Sequence, residues 1–422
     1  MLSLPWLYPG LRLKRWIFLF VLAVVVLYVG FSGIMSQHTG GIHLRPPAIV
    51  ELEEHMKRLK FVDFLFMLLG IWAIVFSIRR LMFSVLTVYA PAREKEFLNI
   101  AYQRTRLKRG PRIVAVGGGT GLPNVLSSLK QYTSNLTAVV TVADDGGSSG
   151  RLRKDFGTPP PGDIRNCIVA LSDQETLLKD LFQYRFKGHG DLKGHSFGNL
   201  FITVMKEITG DFGRAVEESS RVLATRGTVM PVTFENMTLQ AKLKNGKIIT
   251  GESRIPMGNS PIDRIMLKEK KIRPNKEVLK AILEADAIVL GPGSLYTSIL
   301  PNLLIPEISE TIALSRAVKI YVCNVMTQPG ETDHLTVSDH VGAILKHTGP
   351  NFIHYVIVNK EKIPTPLLAR YEANGQEPVM VDEEAVKALD VELVKVNLLH
   401  QEDYVRHSPE KLGKAIIRLL VM

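Results

Sequence analysis

Arg112 to Leu126, RIVAVGGGTGLPNVL, is a short apolar strand that runs into four glycines and then into a helical pattern. A turn of that kind sets backbone N–H groups at a helix N-terminus, where they hold anions. It constrains the fold because related patterns recur. Apolar runs at Leu136 to Val142, Ala287 to Gly291, Lys319 to Met326 and Phe352 to Asn359 alternate with helical segments such as Asn275 to Asp286. Continuous apolar runs suit strands buried on both faces of a parallel sheet, so the expected fold is α/β, doubly wound with a mostly parallel sheet. The segment MTLQAKLKNGKIITGESRI carries Asn245-Gly246, a hairpin turn signal, and reads as a small antiparallel hairpin excursion on the sheet edge.

In an open parallel sheet, ligands sit beyond the carboxyl ends of the strands. There the sequence places Gly117-Gly118-Gly119-Thr120-Gly121, then Ala143 to Arg153 with Asp144, Asp145, Ser148 and Ser149. Two further loops follow, Gly291 to Ser298 with Gly293, Ser294 and Thr297, and Asn324 to His334, opening on Asn324. Glycines also serve only to turn a chain, yet amides and hydroxyls at four equivalent positions suit a phosphorylated ligand. The first turn is not a dinucleotide fingerprint, because Leu122 takes the third glycine position, nor a Walker loop, because no Lys-Ser or Lys-Thr follows. Asp144 stands near where a dinucleotide fold keeps its ribose-binding acid, which leaves a nicotinamide site open as a rival. Asp144 and Asp145 beside phosphate oxygens would suit Mg²⁺; alternatively one of them caps the next loop.

Two clusters precede helices. In PPPGDIRN, Asp163 is a candidate N-cap that presents Arg165 and Asn166 in the first turn; GHSFGNL does the same with His195, Ser196 and Asn199. His195 reads either as a general base or as a structural hydrogen-bonder. In VRHSPEKL, Ser408 and Pro409 start a helix and aim Arg406 and His407 at what lies before it, and an arginine fork suits a pyrophosphate. Asp144, Asp145 and His195 are therefore the catalytic candidates, with none assigned.

The region before Arg112 has a different character. Trp16 to Met35 is uncharged over one membrane crossing, and Phe61 to Ile78 is slightly shorter with a single acid, Asp63. A signal peptide is the alternative for the first run, but no Ala-x-Ala site follows it. Arg12, Lys14 and Arg15 before the first run and Arg79 and Arg80 after the second place both ends in the cytoplasm, against Lys57, Arg58 and Lys60 in the loop. The expected organisation is a two-span anchor over 1–78, a basic juxtamembrane linker over 79–110 and a domain over 111–422. The linker reads equally as an amphipathic helix on the inner membrane surface or as a solvated stretch. The formal net charge of +11 gathers beside the apolar runs rather than in an aromatic-interleaved patch, which points to anionic lipid and away from nucleic acid. Cys167 and Cys323 make no disulfide framework and show no zinc spacing.

As a set, AVGGGTG, TVADDGGSSGRLR, GDIRN, GHSFGNL, GPGSLYTS, CNVMTQPGET and VRHSPEKL closely resemble the YvcK family, the gluconeogenesis factors, within the CofD-like group that includes 2-phospho-L-lactate transferase. The resemblance runs from about Arg112 to the C-terminus. It implies a Rossmann-like domain that binds a UDP-sugar such as UDP-N-acetylglucosamine or UDP-glucose, and a role in cell shape and envelope synthesis on gluconeogenic carbon sources. It implies that the first glycine turn, the Asp144-Asp145 loop, Asn199, the Gly291 to Ser294 loop and Arg406 line the site; Asp163, Asn166, Thr297 and Asn324 complete the candidate set. Family members are regulators without an established reaction, whereas the transferase cousins use Mg²⁺. Envelope-synthesis proteins are the expected partners, and a homo-oligomer is left open. Because family members typically begin near the glycine strand, the two spans suggest a membrane-tethered variant, two-pass, with its C-terminal domain cytoplasmic.

Overall fold

The computed structural model describes residues 13–39, 62–89, 105–173, 176–399 and 407–421. The chain divides into two compact units, Met1–Gln103 and Arg104–Met422.

In the first unit, α1 (Leu13–Thr39) and α2 (Val62–Tyr89) pair antiparallel, with Gly30 against Met67, Gly70 against Leu27 and Trp16 against Phe76. Their stretches Lys14–Ser32 and Val62–Met82 are each long and apolar enough to cross a membrane. A Cβ on Gly30 would come 2.6 Å from the Met67 nitrogen, and one on Gly70 would come 2.7 Å from the Leu27 nitrogen. The backbones therefore touch there, the kind of approach small residues allow between helices in lipid. Phe18, Val21, Trp72 and Val75 face outward, each more than half exposed. α2 continues past Ile78 through Arg79 and Arg80, whose guanidinium lies 5.4 Å from the Trp16 ring centroid. The start of the basic stretch is thus helix rather than linker, and the rest, residues 90–104, lies outside the described residues.

The second unit opens with β1 (Ile113–Gly117), α3 (Gly121–Leu129), β2 (Leu136–Val140), α4 (Gly147–Phe156), α5 (Gly162–Leu171), α6 (Thr176–Gln183), α7 (Phe197–Thr209), α8 (Phe212–Val222) and β3 (Thr228–Pro231). An insert of β4 (Leu239–Leu243), β5 (Ile248–Thr250) and β6 (Ile262–Leu267) follows. The chain returns through α9 (Lys276–Leu283), β7 (Ala287–Leu290), α10 (Leu300–Leu303), α11 (Pro306–Leu314), β8 (Val318–Val322), α12 (Val337–Thr348) and β9 (Tyr355–Asn359). It closes with α13 (Thr365–Glu372), α14 (Glu383–Lys387), β10 (Glu392–Val396) and α15 (Pro409–Val421).

The main sheet has the order β10-β9-β8-β7-β1-β2-β3, and its pairings are all parallel. β1 and β7 are buried along their whole length, which is why they read as unbroken apolar runs. From β1 the chain first builds outward to β3, then comes back beside β1 as β7 and builds the other way. The strand order therefore reverses between β1 and β7, the switch point at which an open α/β sheet makes its crevice. The hairpin expected on the sheet edge is a sheet of its own, ordered β5-β4-β6 and antiparallel. Gly246 takes a φ of +85° in the turn between β4 and β5, which explains the Asn-Gly pair.

Candidate functional site

A cleft opens at the switch point. Thr120, Gly121 and Asn124 line it from the start of α3, Gly293 and Ser294 from the loop after β7, Asn324 and Gln328 from the loop after β8, with Gln376 and His407 opposite. The first two loops press together so closely that a Cβ on Gly121 would stand 2.2 Å from the Pro292 carbonyl oxygen. Thr120 is the N-cap of α3 yet makes no side-chain cap bond, so its hydroxyl is left for the cleft. Asn324 grips Gly293 from both sides, accepting from its N–H at 3.2 Å and donating to its carbonyl at 2.9 Å. Ser294 donates to Gln328, and Gln328 donates to Glu331 Oε1 at 2.6 Å. Thr297, a ligand candidate by sequence, is turned inward and donates to the same carboxylate at 3.0 Å. Burial raises the Glu331 carboxyl to about 7 against the pull of the Thr297 hydroxyl and the Tyr296 and Thr297 N–H groups. His407 donates from Nε2 to the Cys323 carbonyl at 3.1 Å, and burial lowers it to about 4, so it is neutral.

On the other flank of β1, acids converge. Gly119, at φ +60°, gives its N–H to Asp163 Oδ2 at 2.7 Å, so that amide is already engaged. A Cβ on Gly118 would meet the same oxygen at 2.7 Å. Burial and then the Asp144 charge raise Asp163 to about 6, opposed by the Gly119 bond. Glu252, at the start of the 3₁₀ turn Glu252–Met257, is raised to about 8 by burial and by repulsion from Asp144, Asp163, Asp145 and Glu331. Asp144 and Asp145 part at this point. Asp144 Oδ1 accepts from Gly146 N at 2.9 Å, whereas Asp145 Oδ1 accepts from Ser253 N at 2.9 Å and so ties the insert to the loop after β2. Each aspartate thus spends one carboxylate oxygen on a backbone N–H, and the two reach different segments of the chain. Among the described residues no group of three or more His, Cys, Asp or Glu is arranged to hold a metal ion.

Behind the acids lies a hydrogen-bonded chain from the two clusters that precede helices. Arg165, 3% exposed, donates from Nη1 to Ser196 and to Asn199 Oδ1 at 3.0 Å, and from Nη2 to Asn166 Oδ1 at 2.7 Å. The first of these fixes the Asn199 amide so that Nδ2 donates to Ser148 Oγ at 3.1 Å. Ser148 Oγ also meets His195 Nδ1 at 3.0 Å, which joins the histidine to this chain. Burial and Arg151 lower the His195 pKa, which favours the neutral ring. Ser149 is buried, and its hydroxyl stands 2.4 Å from where a Gly162 Cβ would be, so it packs the start of α5. Gly117 ends β1, and Gly291, at φ +76°, turns the chain out of β7. Arg406 lies outside the described residues.

Three residues that the sequence did not single out organise the site. Glu331 and Gln328 stand within the quoted loop Asn324 to His334, but which of its polar residues turns inward is a tertiary matter. Glu252 belongs to the hairpin segment, and nothing local signals that the insert returns to the sheet edge.

Residues 113–399 match the family described as 2-phospho-L-lactate transferase CofD. The gluconeogenesis factor of Bacillus subtilis (strain 168) is 48% identical to this chain over 74% of it and 98% of its own length. A protein of Nostoc sp. (strain PCC 7120) is 44% identical over 98% of this chain and 91% of its own. The crystal structure of a upf0052-family protein from Bacillus halodurans, 48% identical, superposes with a TM-score of 0.71 and covers 73% of this chain and 99% of its own. The Bacillus proteins thus cover a share close to the second unit alone. The Nostoc protein also spans the apolar helices, which corrects the expectation that those helices set this chain apart from its relatives. Fold, motifs and relatives agree: the chain belongs to the CofD family, among the gluconeogenesis factors.

Proposed function

We propose that this chain is a membrane-tethered sensor of a nucleotide-sugar, UDP-N-acetylglucosamine or UDP-glucose, acting as a regulator of envelope synthesis and cell shape on gluconeogenic carbon sources. The observation that carries the reading is the switch-point cleft, where Thr120 and Asn124 offer donors that have no partner among the described residues. A diphosphate at the start of α3 would meet that helix's positive end, and the loops after β7 and β8 would enclose the rest. The name gluconeogenesis factor, borne by the Bacillus subtilis relative, supports the physiological side. The fragment Arg104–Met422 is expected to fold alone, since the Bacillus halodurans protein is a whole chain of about that extent. Isothermal titration of it should show binding of UDP-N-acetylglucosamine or UDP-glucose, with the ligand recovered intact and NAD silent. Absence of UDP-sugar binding would overturn the reading.

A second reading, phospho-group transfer, is favoured by one observation, the convergence of Asp144, Asp163 and Glu252 beside the first glycine turn. The same titration separates the two, because ligand cleaved in the presence of Mg²⁺ would belong to a transferase.

The tether rests on α1 and α2. The full chain should sediment with membranes and resist extraction by high salt, while Arg104–Met422 remains in the supernatant. Full-length protein found in the soluble fraction would remove the tether from the proposal.

A further inference from the structure

A second cavity of about 720 Å³ lies away from the switch-point cleft, between the β5–β6 connection, the loop before α12, α12 itself and α14. That is the size of a site for a small organic molecule. Three of its features converge. Tyr296 on its wall is 5% exposed, and its hydroxyl is bonded by no described group. Its hydroxyl is not among the fully buried polar atoms, so it is the end of the side chain that meets the cavity, which Asp263, Glu331 and Asp339 also line. A hydroxyl held at a cavity wall without a protein partner is free to bond whatever occupies the cavity.

The second feature is Gly342, inside α12. A Cβ there would meet nothing within 4 Å. Glycine in a helix interior costs about 1 kcal/mol relative to alanine, and alanine would fit, so packing does not explain the glycine. Its effect is to leave room at the cavity wall.

The third is charge. Lys346 pairs with Asp263 at 2.7 Å and cancels it. That leaves Asp333 and Asp339, with Glu331 only partly ionised near neutral pH, against Lys244. Ile262, Leu335 and Leu389 supply an apolar lining between these groups. We propose that this cavity binds an organic cation with an apolar body, its ammonium or guanidinium group among the carboxylates and its flank against Gly342.

Tryptamine serves as the probe, with indole-3-acetate as the same body carrying the opposite charge. Saturation-transfer NMR on Arg104–Met422 should show contact with tryptamine and none with indole-3-acetate. Gly342→Trp, which fills the cavity from its open wall, should abolish the tryptamine signal. Tyr296→Phe removes an unpartnered hydroxyl and leaves the ring, so the fold stands while affinity falls roughly five- to tenfold. No tryptamine binding, equal binding of indole-3-acetate, or a tryptamine signal that survives Gly342→Trp would each overturn the proposal.

Discussion

Gly121→Val is expected to lower the melting temperature of the globular unit by roughly 2–5 °C and to remove nucleotide-sugar binding. The reason is the contact between two backbones. A Cβ at Gly121 would stand 2.2 Å from the Pro292 oxygen, 2.5 Å from its carbon and 2.8 Å from Gly293 N. None of these atoms is the end of a flexible side chain. The loops after β1 and β7 would have to separate, and Pro292 and Gly293 are held back by the bonds from Asn324 to Gly293. Overpacking of this kind costs about 1–3 kcal/mol or more, and the cleft is lost because those two loops are its walls. Gly342→Ala is the control, a helix glycine with open space around it, and should instead stabilise by about 0.5–1 kcal/mol. Differential scanning calorimetry of the two variants, with titration of UDP-N-acetylglucosamine, makes the comparison. A Gly121→Val protein that melts with the parent and binds as well would mean that the loops part freely.

The acid cluster should make the fold less stable as pH rises, and Glu252→Gln should remove much of that dependence. Glu252 is raised from 4.5 to about 8, Glu331 to about 7 and Asp163 to about 6, in each case first by burial. A carboxyl whose folded value lies above its unfolded one contributes stability that is fully present below the unfolded value and is lost as pH rises through the folded one. For Glu252 the loss begins above 4.5 and is complete above about 8, and amounts to something on the order of 3–5 kcal/mol. Urea unfolding at pH 6 and pH 9 should show the drop in the parent and a clearly smaller one in Glu252→Gln. Equal drops would mean that Glu252 is ionised in the fold at neutral pH. The sign has a functional side. A protonated Glu252 and a partly protonated Glu331 keep this end of the sheet from repelling a diphosphate, so alkaline solution should weaken nucleotide-sugar binding as well.

Much of this architecture is legible in the sequence for a simple reason. β1, β2, β7, β8 and β9 lie inside the sheet, and burial on both faces makes them mostly apolar, with Thr137, Lys319 and Asn359 as exceptions. β3 and β10 are the edges. Thr228 and Glu392 are exposed there, and such short, mixed segments carry no periodicity that separates them from loop. β6 is missed for another reason: its partner is β4, across the β5 hairpin and a 3₁₀ turn, so no local turn announces it. The site divides in the same way. Glycines and hydroxyls at strand ends are visible because the strands are. That Asp144 and Asp145 go to different partners, that Thr297 looks inward, and that Glu331 gathers the loop after β7 are set by packing between distant segments. The stretch of basic residues after the second apolar run misleads, because α2 keeps its helical backbone through Arg79 and Arg80 where charge alone suggests a break.

Glu331 has one more consequence. It accepts from Thr297 and Gln328, and Gln328 in turn accepts from Ser294 at the wall of the switch-point cleft, while Glu331 itself stands beside Tyr296 at the wall of the second cavity. A molecule that reorients Gln328 in one place changes the charge and position of a carboxylate felt in the other. Thermodynamic linkage then runs both ways: whatever factor an occupant of the second cavity applies to nucleotide-sugar affinity, the nucleotide-sugar applies to that occupant. On the two proposals made above, one buried side chain would thereby join the readings of two ligands into one.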